Sequence, residues 1–296
     1  MPGSIPASAT TDPLRGEAPT APPVRRRVLA RLVRTPAGMV GLALTLVLVA
    51  VALLAPVIAP FDPLLPVGAP LASPEAAHPM GTDGLGRDVF SGVLHGTRTS
   101  LLVAGGVCAL AFIIGVPLGM VSGYRGGLAD DALMRFTEMF QVLPRFFLAI
   151  IVIALFGPGL DRLVLVLGLT SWAMLARVMR AEVLSLRERE FVEAARANGA
   201  SHLRILFREI LPNALPAGLV LLGLIVAQVI LLEASLGFLG LGDPNAMSWG
   251  YLAGQAQRFL RVAWWLSVFP GVAIIVAVLG LNLLVDALND VLAGRR

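Results

Sequence analysis

The chain predicts an all-α polytopic membrane protein with six transmembrane helices, and three observations carry that prediction. Hydrophobic residues fill 57% of its 296 positions and charged residues only 14%, with mean hydropathy +0.82, more apolar surface than a soluble fold of this length can hide. The apolar residues gather into six runs, at 37–59, 99–121, 143–157, 162–178, 214–232 and 266–286. With six crossings and both termini inside, eighteen arginines fall on the cytoplasmic side and five, Arg87, Arg98, Arg162, Arg258 and Arg261, fall outside.

Taken in order, residues 1–30 begin as a Pro-, Ala-, Ser- and Thr-rich tail with too few large side chains to offset ordering entropy, expected to be disordered and cytoplasmic. Residues 31–97 hold the first transmembrane helix and an external segment. Arg25, Arg26 and Arg27 imitate a secretion signal, but the run from Ala37 to Ala59 is longer than a signal core and reads as an uncleaved span. Residues 98–296 supply the other five crossings. The third and fourth are the shortest and are joined by the turn Gly157-Pro158-Gly159-Leu160-Asp161. Gly115, Pro117, Gly119 and Gly223 are expected at helix-packing positions.

Several functions are disfavoured by composition. All 23 basic residues are Arg, so no P-loop lysine exists and the chain is not itself a Walker-type ATPase. The net charge of +4 and pI near 10.4 follow from arginines flanking apolar runs, which points to topology rather than nucleic acid. The single cysteine, Cys108, lies inside an apolar run and forms no intrachain disulfide. Runs one and two carry no charge. Arg145 sits near the cytoplasmic end of run three, where it can snorkel, Glu233 sits just beyond run five, and Asn282 and Asp286 sit in the last turns of run six. No chain of acids or histidines crosses the bilayer, which disfavours a proton-coupled carrier. Ser122 lacks a GxSxG setting and His78, His95 and His202 have no evident nucleophile partner, so no catalytic residue and no cofactor is expected.

The external stretch 78–96, HPMGTDGLGRDVFSGVLHG, is rich in turn residues. Gly81, Gly84 and Gly86 favour a compact loop, with Asp83 and Asp88 binding backbone N–H groups or Arg87. His78 with the two aspartates matches no metal template, and no metal ligand set is assigned.

The most informative stretch is polar: residues 191–213, FVEAARANGASHLRILFREILPN, between runs four and five. Helix formers fill 191–198, Gly199 supplies a left-handed C-cap, and Ser201 can N-cap a second helix expected to stop before Pro212. Leu203, Leu206 and Ile210 make one apolar stripe, and Arg204 and Arg208 lie one turn apart on another face. Glu193-Ala194-Ala195, Gly199, Ile205 and Leu211-Pro212 resemble the EAA loop of bacterial ABC importer permeases. An amphipathic hairpin lying on the membrane surface fits the same pattern.

Three further blocks resemble the dipeptide, oligopeptide and nickel permease family, in its C-type subunit. They are residues 78–96, the stretch from Gly123 through Arg135, and Glu233–Gly242 with Ser248-Trp249-Gly250. The chain departs from that family's usual pattern at Ser91-Gly92, where Ser-Arg is usual, and at His95, where Tyr is usual.

The resemblance implies a permease subunit of a binding-protein-dependent importer in the bacterial plasma membrane, taking peptides or related small solutes. It further implies a second, homologous permease subunit, two cytoplasmic ATPase subunits contacted through 191–213, and an extracytoplasmic substrate-binding protein. An ATP-independent channel or secondary carrier is the alternative. Glu233, at the external end of run five, is expected either to line a vestibule or, as preferred here, to cap local structure with Arg258 or Arg261.

Overall fold

The computed structural model describes residues 31–292; the N-terminal tail, Arg295 and Arg296 lie outside the described residues. Helix α1 (Pro36–Ile58) starts where Thr35 Oγ1 accepts from the Gly38 N–H at 3.2 Å, with proline in the first turn. Its 23 residues extend about 34 Å, enough to cross a bilayer core. Leu46, Leu53 and Val57 are exposed along it, as a helix at the lipid boundary requires. Helix α2 (Val89–Arg125) is capped by Asp88 and runs 37 residues.

The third crossing departs from expectation. Instead of one straight helix over 143–157, an amphipathic helix α3 (Gly127–Val142) is followed by α4 (Arg145–Phe156), and the two are bent by 70°. Pro144 is the cause. A proline disfavours the α conformation of the residue before it, and Leu143 is extended at φ −71° and ψ 120°. Alone, α4 extends only about 18 Å, so this crossing needs both halves. Among the described residues five helices are long and apolar enough to span, and the bent pair makes a sixth when its two halves are taken as one broken span.

Helix α5 (Leu160–Leu186) returns through the bundle centre. Its seam with α2 is built on Gly115, Gly119 and Gly123, spaced one turn apart. A Cβ at Gly115 would lie 2.8 Å from the Trp172 carbonyl oxygen and one at Gly123 would lie 2.7 Å from that of Arg180, while one at Gly119 would overlap the Ala176 carbonyl. Only glycine lets the two backbones approach so closely. Gly223 also packs, against Val285, and Gly41 seats α1 on the backbone of the last helix at Leu284.

After the short helix α6 (Glu190–Ala197), a continuous helix α7 (His202–Leu241) returns across the bundle. It includes π-helical turns over Ile205–Ile210 and Gly237–Leu241 and a kink at Gly240. The end of the bundle away from residues 190–213 then carries α8 (Trp249–Ala256), and α9 (Trp265–Leu292) completes the bundle. One apolar core runs through the bundle centre around Val107, Leu175, Met179 and Ile225, and a second lies under the cap formed with α8, around Val89, Leu252 and Trp265. Among the described residues there is no strand beyond isolated bridges Pro66↔Arg87 and Thr82↔Asp88.

Candidate coupling loop

Residues 190–213 fold as the helix, turn and helix that their pattern predicts, up to one point. In α6, Glu190 and Glu193 occupy the first turn and Arg196 the last, each favourably placed for the helix dipole. The helix ends in a Schellman turn, in which the Ala200 N–H donates to Ala195 O at 3.1 Å and the Gly199 N–H donates to Arg196 O at 2.9 Å. Gly199 has φ +74°. Nothing lies within 4 Å of the place a Cβ would take there, so backbone strain rather than crowding makes the position suit glycine. Ser201 then caps α7, its Oγ accepting from the Arg204 N–H at 3.4 Å.

The second helix does not stop before Pro212. Between Ile205 and Ile210 the chain widens into a π-turn, with the Leu211 N–H reaching back to Leu206 O, and Asn213 Nδ2 donates to Glu209 O at 2.6 Å. The wider turn and the side-chain donor satisfy carbonyls around the proline, so the loop's second arm is one body with the membrane-spanning part of α7. The buried stripe is also shifted. Ile205, Leu206 and Ile210 are buried, whereas Leu203 is 70% exposed.

The loop therefore has an inner and an outer face. Val192, Ile205, Leu206 and Ile210 join the bundle core, with Ala195 and Leu211 packed at its edge. Glu193, Ala194, Gly199 and Pro212 are exposed, as are Arg196, Arg204 and Arg208. Below the loop, polar contacts fix its base. The Tyr124 hydroxyl and His202 Nδ1 are 2.9 Å apart, and Arg187 donates to Gly123 O at 2.9 Å. Arg180 grips Asp130 with two bonds, 2.6 and 2.5 Å, and Asp130 also accepts from Ser122. The sequence marked Asp130 only as part of a family block. Its partner stands fifty positions away, and no local pattern points to it.

At the opposite end of the bundle, Glu233 is 3% exposed and does not pair with Arg258 or Arg261. Its carboxylate accepts from Ser248 Oγ at 2.6 Å and Ser100 Oγ at 3.0 Å, tying α7 to α8 and α2. Ser248 Oγ also caps α8 by accepting from the Tyr251 N–H at 3.1 Å. Trp249 donates to Val93 O and Trp265 to Thr82 O, both at 3.1 Å. In the loop before α2, Asp83 Oδ1 accepts from the N–H groups of Leu85 and Arg87, and Asp88 meets His78 Nδ1 at 2.9 Å and the Ser91 N–H at 2.7 Å. These carboxylates are occupied by protein donors. Among the described residues no three His, Cys, Asp or Glu side chains cluster as a metal site.

The profile of the binding-protein-dependent transport system inner membrane component matches residues 115–296, and that of the N-terminal transmembrane domain of oligopeptide transport permease C matches residues 24–74. The chain belongs to this permease family. It is a multi-pass inner-membrane transport subunit and not itself an enzyme. The permease is 36% identical over 260 residues to the di/tripeptide transport system permease protein DppC of Pseudomonas aeruginosa, covering 85% of this chain and 86% of that one. It is 38% identical over 223 residues to the dipeptide transport system permease protein DppC of Alkalihalophilus pseudofirmus, covering 75% and 73%. Among solved structures, an inward-facing form of the MetNI methionine ABC transporter matches with TM-score 0.54 at 20% identity, over 69% of this chain and 97% of that one. That likeness shows a shared fold.

Proposed function

We propose that this permease is one membrane subunit of an ATP-driven importer of di- or oligopeptides. It works with a second, homologous permease, two cytoplasmic ATPase subunits and an extracytoplasmic binding protein that delivers cargo. Both termini lie in the cytoplasm, so that the loop 190–213 faces the ATPases. The observation that carries this reading is the loop's two-sided construction. Its inner face is locked into the core, while Glu193, Ala194 and the arginines of its outer face are exposed.

Because α7 continues unbroken from the loop into the membrane, a push on the outer face reaches the transmembrane bundle as tilt rather than being absorbed in a hinge. Glu193 meets the ATPase, and the small Ala194 permits close approach. The peptide cargo is inferred from the named relatives. No observation favours an ATP-independent channel or carrier.

A cysteine at Ala194, in a Cys108→Ser background, tests the reading with a thiol-linked photocrosslinker in native membranes. The expected product joins this chain to an ATPase subunit, and a cysteine at Leu85 on the external loop gives none. Crosslinking of the Ala194 variant to the extracytoplasmic binding protein, or labelling of that cysteine from outside intact cells, would reverse the orientation and sink the assignment.

A further inference from the structure

The break between α3 and α4 opens a cavity of about 580 Å³, lined by Gln141, Arg145, Met174, Arg177, Val178 and Ala181. Its depth follows from the helix rise. Arg145 begins α4, whose twelve residues put it about 18 Å below the turn at Gly157, and Arg177 is seventeen residues along α5 from Leu160, about 26 Å. With the turn at Gly157 set at one boundary of a hydrocarbon core about 30 Å thick, both arginines stand in its far half.

Two features keep this face from being ordinary lipid-facing surface. The last carbonyls of α3 and the first N–H groups of α4 have no helical partner at the break, and such backbone persists at membrane depth only against protein or water. The charges are also uncompensated locally. Arg177 donates to the neutral Gln141 Oε1 at 2.7 Å, and among the described residues neither Arg177 nor Arg145 joins an ion pair, whereas Arg180 one turn away is held by Asp130. Two guanidinium groups with no carboxylate in the lining, Arg177 being exposed, make the pocket positive.

We propose that Arg145 and Arg177 form an anion-binding way-station for the cargo, receiving the C-terminal carboxylate of a peptide as it leaves the bundle toward the cytoplasm. This rests on the importer reading and names a contact the chain itself makes with the substrate. Guanidinium groups suit a carboxylate because their planar donors match its two oxygens. The wall beside them, Met174, Val178 and Ala181, is apolar, and the one acceptor side chain in the lining is Gln141, which a carboxylate would have to displace from Arg177. Selection among peptides at this point is for the free terminus and not for side chains.

Met174 is half-exposed in the cavity and provides the probe position. Met174→Cys in a Cys108→Ser background is reacted, in native membranes containing the full complex, with a sulfonate-bearing and a trimethylammonium-bearing methanethiosulfonate. The anionic reagent is expected to react about tenfold faster than the cationic one, as two nearby positive charges in a partly screened site require. Arg145→Gln together with Arg177→Gln removes that preference, Arg145→Lys with Arg177→Lys keeps it, and excess dialanine but not dialanine amide slows labelling. Absence of reaction, equal rates for the two reagents, or equal protection by acid and amide overturns the proposal. A preference that appears only after detergent removes the lipid assigns the arginines to phospholipid phosphate and also overturns it. None of these readouts uses ATPase coupling, so their failure leaves the importer reading standing, whereas failure of the Ala194 crosslink does not alter the rates measured here.

Discussion

The two ends of the bundle handle polar groups in opposite ways. In the cap built on α8 and the loop before α2, Asp83, Asp88, Ser248, Glu233 and two tryptophan N–H groups are buried, and every one meets a protein partner. At the loop 190–213, the polar side chains of the outer face are exposed and the buried side is wholly apolar. A buried polar group without a partner costs about 1–3 kcal/mol, so the cap's bonds are conditions of its folding. The exposed groups of the loop carry no such constraint and are free to bind something else. Changes in the cap should therefore cost stability first, and changes in the loop should cost coupling while stability holds.

Trp249→Ala should give the largest loss of stability. The side chain is fully buried between α8 and α2 and its indole N–H is bonded, so about 3–5 kcal/mol is expected, read as a lower melting temperature of the purified chain in detergent. Glu233→Leu comes next. It leaves the Ser100 and Ser248 hydroxyls without their acceptor and should cost about 2 kcal/mol, while Glu233→Gln, which keeps an acceptor oxygen, loses less. A Gln variant of full stability that takes up no peptide would show that Glu233 touches cargo.

Asp130→Asn belongs between the two regions, since it removes the charge from a pair that ties α3 to α5 beneath the loop. Because the Arg180 side chain is 33% exposed and partly screened by solvent, about 1 kcal/mol is expected, measured by the same melting experiment. Glu193→Ala should lie at the small end, within about 0.5 kcal/mol of the parent, because the side chain is exposed and has no hydrogen bond among the described residues. ATPase association in pull-down should nonetheless weaken. If Glu193→Ala melts early and still binds the ATPase normally, the contrast between the two ends is wrong.

Five of the crossings are legible in the sequence because each is a long apolar run, and apolar length alone decides whether a helix spans. The bent crossing is less so. Asp130, Asp131, Arg135 and Glu138 make α3 read as loop, and only packing against α5 reveals its apolar side, where Phe140 meets Trp172 with centroids 5.2 Å apart. The left-handed turn at Gly199 and the Ser201 cap are local chemistry and are readable at sight. The passage of α7 through Pro212 is not. A π-turn has no compositional mark, and the donor that helps it, Asn213, acts on a carbonyl four residues back. Glu233 could be singled out as a carboxylate at a membrane end, but its partner Ser100 is 133 positions away, beyond any pattern in the chain.

Gly199→Val offers the most direct test of the coupling claim. The substitution meets no neighbour and leaves the membrane helices untouched, yet a β-branched residue at φ +74° is strained by about 1–2 kcal/mol and should re-aim α6 against α7. The decisive quantity is ATP hydrolysis by the reconstituted complex with and without liganded binding protein, with Arg258→Ala at the opposite end of the bundle as control. The account predicts that the Gly199 variant inserts and assembles its bundle normally while hydrolysis no longer responds to the binding protein, and that the control responds like the parent. Full stimulation in Gly199→Val, with peptide uptake unchanged, would contradict it.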